Sequence, residues 1–216
     1  MKTLVVLLAL APLVAHAQSF FELEAGVGVA KTRDMGDGVW VQKGLDNSES
    51  LTNIGFMGGL TGSLYERGNW SIRYHADYVY MGRQEASTDA VPDANYNPVR
   101  HQVLQRQSTY SYFNGQGHTQ GIALTLQPTY AWRGVEFGLE AGYWAYWATW
   151  HQTAETGGVT ESLNHQTKVQ FAPVVGASIE YKNVSVSYRY YKMRPLWSPV
   201  PGIATGVQMV TLTYRF

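Results

Sequence analysis

Trp70, Ile72, Tyr74, Ala76, Tyr78 and Tyr80 alternate with Ser71, Arg73, His75, Asp77 and Val79, the period of an extended strand with one apolar and one polar face. The pattern returns seven more times. Phe21 to Val29 sets Leu23, Ala25 and Val27 against Glu22, Glu24, Gly26 and Gly28, and Ile54 to Leu64 sets Phe56 and Leu60 against Gly55, Met57 and Thr61. Then come Ile122 to Trp132, Val135 to Trp147, Val169 to Tyr181 and Val184 to Tyr190, and last Val210, Leu212, Tyr214 and Phe216 around Thr211, Thr213 and Arg215. A chain written almost wholly in period two folds as all-β. The predicted strands, roughly 9 to 13 residues each, have the length a tilted strand needs to cross a bilayer.

Residues 1–17 read as a secretory leader: Lys2, an apolar run from Leu4 to Val14, then Ala15-His16-Ala17 as a small-x-small cleavage site. That run is too short to span a membrane, and beyond it no stretch is continuously apolar for the eighteen or so residues a spanning helix needs. Residues 18–216 are then one domain. The chain has 16 basic and 16 acidic side chains, a balance that suggests no nucleic acid partner. It has no cysteine, which excludes disulfides, thiolate metal sites and a Cys nucleophile. Its 7 Trp, 15 Tyr, 7 Phe and 22 Gly are a heavy load for a soluble domain and fit the composition of a transmembrane barrel.

The connections alternate in length. Glu66-Arg67-Gly68-Asn69, Arg133-Gly134 and Lys182-Asn183 predict three tight turns. Between them fall four long polar connections at about residues 31–50, 82–119, 151–166 and 194–205. Short turns on one side and long loops on the other describe an eight-stranded antiparallel up-and-down transmembrane β-barrel. The aromatics sort accordingly. Phe21, Trp70, Tyr130, Trp132, Phe137, Tyr181, Tyr214 and Phe216 fall at the short-turn ends, and Tyr78, Tyr80, Tyr143, Trp147, Phe171 and Tyr190 at the loop ends. Two girdles at the membrane interfaces are expected, where amphipathic rings are favoured.

With strand number, connection pattern, girdles and the final Phe216 in place, the chain resembles the small eight-stranded outer-membrane barrels of the OmpA transmembrane-domain and OmpX type. The resemblance covers residues 18–216. It implies an outer-membrane location in a Gram-negative cell, of bacterial or phage-encoded origin, contact with outer-membrane lipid and lipopolysaccharide, and recognition of the C-terminal strand by the barrel-assembly machinery. A monomer is expected. No peptidoglycan-binding segment follows Phe216 in the sequence, so an anchoring role is not implied. Pro128 and Pro173 depart from the pattern, since each removes a ladder donor, and a bulge or a water-satisfied gap is expected at both.

The inward face carries Glu22, Glu24, Asp77, Glu136, Glu140 and Glu180 with Arg73, His75, Lys168, Arg189 and Arg215. An eight-stranded barrel is just wide enough to be filled by side chains, so these charges should pair into a lumen plug. A gated ion or solute path through the same network is the alternative. Two carboxylates in a packed lumen give a substrate no access, so a hydrolase is not expected. His101, His118, His151 and His165 lie in loops, and solvated histidines are expected there rather than a metal site. Lipid A deacylases of this architecture use a His-x-Ser pair, and the sequence contains none. The palmitoyltransferases usually add an N-terminal amphipathic helix, for which no length is left before the first strand. A triad of Ser87, Asp89 and His101 would need loop folding to assemble it.

The loops remain the seat of function. Tyr96, Tyr110, Tyr112 and Phe113 stand among Asn, Gln and Ser, with Trp197 in the last loop, a composition suited to adaptable recognition. Trp144, Tyr146 and Trp150 should point inward above the girdle. The expectation is a non-enzymatic surface barrel without cofactor or metal whose loops meet an unidentified ligand, in adhesion, host contact or phage recognition.

Overall fold

One row of backbone partners, followed from strand to strand, goes all the way round the molecule. The computed structural model describes residues 21–35, 47–50, 52–90, 96–97, 102–103, 111–156, 159–193 and 204–216, so the leader expected at 1–17 lies outside it. The strands are β1 (Glu22–Met35), β2 (Asn47–Ser50), β3 (Thr52–Arg67), β4 (Trp70–Ala90), β5 (Tyr96–Asn97), β6 (Gln102–Val103), β7 (Ser111–Trp132), β8 (Val135–Thr156), β9 (Val159–Gln166), β10 (Gln170–Tyr181), β11 (Val184–Lys192) and β12 (Ala204–Arg215). Eight of them close a ring in the order β1, β3, β4, β7, β8, β10, β11, β12, all antiparallel.

The row starts at Trp70 and passes through Tyr130, Phe137, Ile179, Val186, Leu212, Val27 and Phe56. It returns to its own strand at Tyr80, ten residues beyond where it began. Ten residues of stagger over eight strand spacings fix a tilt of roughly 40°, within the range of closed barrels. Ten tilted residues also rise about 25 Å, the height of an outer-membrane apolar belt. Every member of the row is apolar or aromatic, and all but Tyr80 are exposed on the outer wall. A soluble barrel would hide this belt, whereas in a bilayer hydrocarbon covers it.

The three short turns lie at one end, Gly68-Asn69, Arg133-Gly134 and Lys182-Asn183. At the other end the strands outrun the membrane. The β4, β7 and β8 strands have 21, 22 and 22 residues, about twice the bilayer requirement. Consequently much of the connection expected at 82–119 and most of that expected at 151–166 is ladder: Arg83 to Ala90 pairs with Ser111 to His118, and Thr149 to Thr156 with Val159 to Gln166. Both faces of these extensions meet polar surroundings, so Gln, Ser, Thr and Asn replace the apolar alternation that marks a strand in hydrocarbon.

Neither proline makes a bulge, and of the two only Pro128 leaves a gap in the ladder. Ile72 pairs with Pro128 and Tyr143 with Pro173 without a shift of register. Pro128 costs only two positions of the β7–β8 ladder, between Leu126 and Thr129. The register shifts fall between Ser63 and Tyr65 and between Tyr80 and Arg83, and the break at 167–169 separates β9 from β10. There Thr167 holds the wall together through a pair of 2.9 Å bonds with the Ala148 backbone.

Candidate functional site: the filled lumen and the outer wall

Alternation sends Arg73, His75 and Asp77 of β4, Gln127 of β7, Glu136 and Glu140 of β8, Glu180 of β10 and Arg189 of β11 to the inside. At the short-turn end Arg73 bridges Glu136 at 3.0 Å and Glu180 at 2.8 Å. Arg215 joins Glu22 at 3.0 Å and also pairs with Glu180. Midway, His75 meets Glu24 at 2.7 Å through Nδ1 and Gln127 at 3.0 Å through Nε2, and Gln127 donates to Ser178. Arg189 donates from Nε to Glu140 and from Nη1 to Asp77, both at 2.7 Å, while Thr125 donates to the other Glu140 oxygen. A cavity of about 20 Å³ lies among these charges, room for about one water.

Lys168 takes no part. It lies exposed in the break between β9 and β10, where the extra residue interrupts the alternation that would have turned it inward. The other charges named from the sequence meet in these pairs. Glu24, His75 and Asp77 also bring one ligand atom each within 4.8 Å of one another, a donor set that could hold a metal ion. Its groups are already engaged with one another and with Arg189.

Above the charges the lumen becomes apolar. Met57, Val79, Met81, Trp144, Tyr146, Val174, Tyr191, Met193, Val207 and Met209 are all buried there. Trp144 stacks on Tyr146 at 4.4 Å, meets the edge of Tyr191 at 4.9 Å and donates Nε1 to the Lys192 carbonyl at 3.0 Å. The inward Trp144, Tyr146 and Trp150 were visible in the sequence, but their methionine and valine partners were not singled out. The missed signal is an apolar residue on both parities in the outer third of a strand, as at Val79-Tyr80-Met81.

On the outside, Trp70, Tyr78, Tyr130, Trp132, Phe137, Tyr143, Tyr181, Tyr214 and Phe216 are exposed, and Tyr80, Trp147 and Tyr190 half-buried. Just beyond the loop-end aromatics, β4, β7, β8 and β9 form an open groove of about 510 Å³ of mixed polar and aromatic lining. Arg83, His118, His151 and Asn164 line it. His118 bonds to Thr149 at 3.0 Å and its burial holds it below the ordinary imidazole range, while His151 bonds to Asn164 at 2.5 Å. The pair His118 and His151 thus belongs to a strand wall rather than to loops. His165 lies in β9 opposite Trp150, and His101 is outside the described residues. Of the recognition candidates, Tyr96 is in β5 and Tyr112 and Phe113 in β7, whereas Tyr110 and Trp197 lie outside the described residues. Ser87 and Asp89 are paired in the β4–β7 ladder.

A closed antiparallel ring of eight strands, with an apolar belt outside, charges within and all short turns at one end, defines a small outer-membrane β-barrel. Solved structures similar to it over most of their length include Ail, the attachment invasion locus protein of Yersinia pestis, at 14% identity and TM-score 0.39, covering 90% of this chain and 98% of that one. Neisserial surface protein A is similar at 16% identity and TM-score 0.37, covering 92% and 98%. No family model and no curated protein matches the sequence.

Proposed function

We propose that this barrel is a closed, non-enzymatic display scaffold, with the β4, β7 and β8 extensions and the connections above them meeting a surface ligand in adhesion, host contact or phage recognition. The observation that carries this reading is the pairing of a filled lumen with walls twice the length a bilayer requires. A pore would need an open path. The charged layer holds a cavity of about 20 Å³, and the apolar layer above it excludes ions by dewetting. The groove around Arg83 and His118 stands at the height of lipid headgroups, its cation and imidazole suited to contact with the saccharide and phosphate of lipopolysaccharide. The C-terminal strand, whose last amide at Phe216 donates to the Leu23 carbonyl at 2.9 Å, closes the ring and is the segment offered to the assembly machinery of a monomeric barrel.

The test replaces residues 91–110 by a tight turn, leaving the barrel intact, and scores binding to host cells and sensitivity to phage. Loss of one phenotype supports display. Retention of both, or steady conductance of the wild-type chain in planar bilayers, would overturn it.

A further inference from the structure

The three short turns carry a second message. In two-residue hairpins, Gly, Asn and Asp are favoured wherever φ is positive, because a Cβ there is strained. The first turn follows this rule with Gly68 at φ 61°. The other two place Arg133 at φ 51° and Lys182 at φ 57°, bulky cations where Asn would fit with less strain. Each cation lies over the girdle ring before it, Arg133 at 4.9 Å from Trp132 and Lys182 at 5.3 Å from Tyr181. Among the described residues no carboxylate comes within 4.0 Å of Lys182.

Lys182 also stands at the end of a groove. On the outer wall of the β10–β11 hairpin a shallow, open groove of about 670 Å³ runs between Tyr181 and Tyr214 over Ile179, Val184 and Val186. The apolar floor runs from the turn toward the middle of the bilayer, and the ammonium closes the headgroup end. The second cationic turn adjoins it, because Gly134 lies against the Tyr181 ring, with its Cβ position 4.0 Å from Cε2. An apolar slot with aromatic walls and fixed positive charge at one end has the shape and charge of a single lipid.

We infer that the β10–β11 hairpin binds one anionic glycerophospholipid of the inner leaflet, its acyl chain along Ile179, Val184 and Val186 and its phosphate on Lys182. The inference rests on the transmembrane reading. The anionic headgroup follows from the Lys182 ammonium, which has no carboxylate among the described residues to neutralise it and is held over the Tyr181 ring, and a phosphate can also accept from the indole N–H and phenol O–H donors at this level.

The test uses the whole mature chain, folded in micelles and titrated with phosphatidylglycerol or phosphatidylcholine, with bound lipid counted by native mass spectrometry. The wild type should retain one phosphatidylglycerol in preference to phosphatidylcholine. Lys182→Asn, which relieves the turn, should fold normally and bind phosphatidylglycerol about fivefold more weakly, the effect of one lysine at an anionic surface. Lys182→Arg should restore it, and Arg67→Asn, a cation beside the first turn and outside this groove, should leave it unchanged. Equal retention of both lipids, equal affinity of Lys182→Asn, or an equal loss in Arg67→Asn would overturn the site. A wild-type chain that inserts in vesicles without lipid preference removes the site alone, whereas one that fails to insert removes the transmembrane reading with it.

Discussion

Arg189 on β11 reaches across the full lumen to place Nη1 2.7 Å from the Asp77 carboxylate on β4, the strand diametrically opposite in the ring. Its Nε lies 2.7 Å from Glu140, so one guanidinium holds two carboxylates that are otherwise out of reach of water. Truncating it to Arg189→Met leaves both charges buried and unpaired, which costs about 3–5 kcal/mol. Urea unfolding in micelles should show that loss. Adding Asp77→Asn and Glu140→Gln should recover most of it, because the stranded charges are then gone.

Asp77→Asn alone should behave oppositely to Arg189→Met. The described lumen holds six carboxylates against Arg73, Arg189 and Arg215, and Asp77 Oδ1 has no hydrogen-bond partner. An asparagine keeps one oxygen for Arg189 and turns an amide N–H toward Glu24 and His75, which lie in the same cluster. The expected result is a stability unchanged or higher by about 1 kcal/mol. A loss as large as that of Arg189→Met in the same urea titration would show that the Asp77 charge itself is required.

Two unlike layers in series predict how the lumen responds to opening. Replacing Arg73 and Glu180 by serine removes ion pairs at the short-turn end, yet Trp144, Tyr146 and Tyr191 still fill the passage above. Planar-bilayer recording should find this variant as silent as the wild type. Steady conductance should require removal of the Arg189 bridge and Trp144→Ala in addition, the latter a truncation that costs about 3–5 kcal/mol in its own right.

The barrel was legible in the sequence because hydrocarbon outside and polar lumen inside impose opposite chemistry on successive residues. From Trp70 to Tyr80 that contrast is complete, and the strand can be counted by eye. It disappears at Arg83, where both faces meet polar surroundings, so the ladder to Ala90 is spelled in the same residues as a loop. Inside, the charges could be assigned by parity alone, since a long strand fixes which residues share a face. Lys168 escaped because the extra residue at 167–169 breaks the parity, and neither glycine nor proline stands there to mark it. The bulge at Met81-Gly82 does have such a marker, but a glycine at the edge of a polar stretch reads equally as the start of a loop.

That glycine contrasts with another in the same sheet. Gly82 has φ 82°, and a Cβ on it would lie 2.6 Å from the Ile54 carbonyl oxygen and 2.7 Å from the Asn53 Cβ. Gly58 sits in a regular strand on the outer wall, and its Cβ position meets only the Glu24 carbonyl oxygen at 3.7 Å. Gly58→Ala should therefore stabilise the barrel by about 0.5–1 kcal/mol, since alanine loses less chain entropy and adds apolar contact with lipid. Gly82→Ala should lose more than that amount, through both a positive φ and a backbone clash. Above Gly82 the inward parity of β4 passes from Val79 and Met81 to Gln84, which donates to Thr32 at 2.6 Å. Damage at Gly82 should accordingly fall on the extension. Limited proteolysis of intact cells should cut Gly82→Ala within residues 83–118 while the heat-modifiable mobility of the folded barrel is retained. Equal protease resistance of the two alanine variants would show that the bulge is not what holds the extension in register.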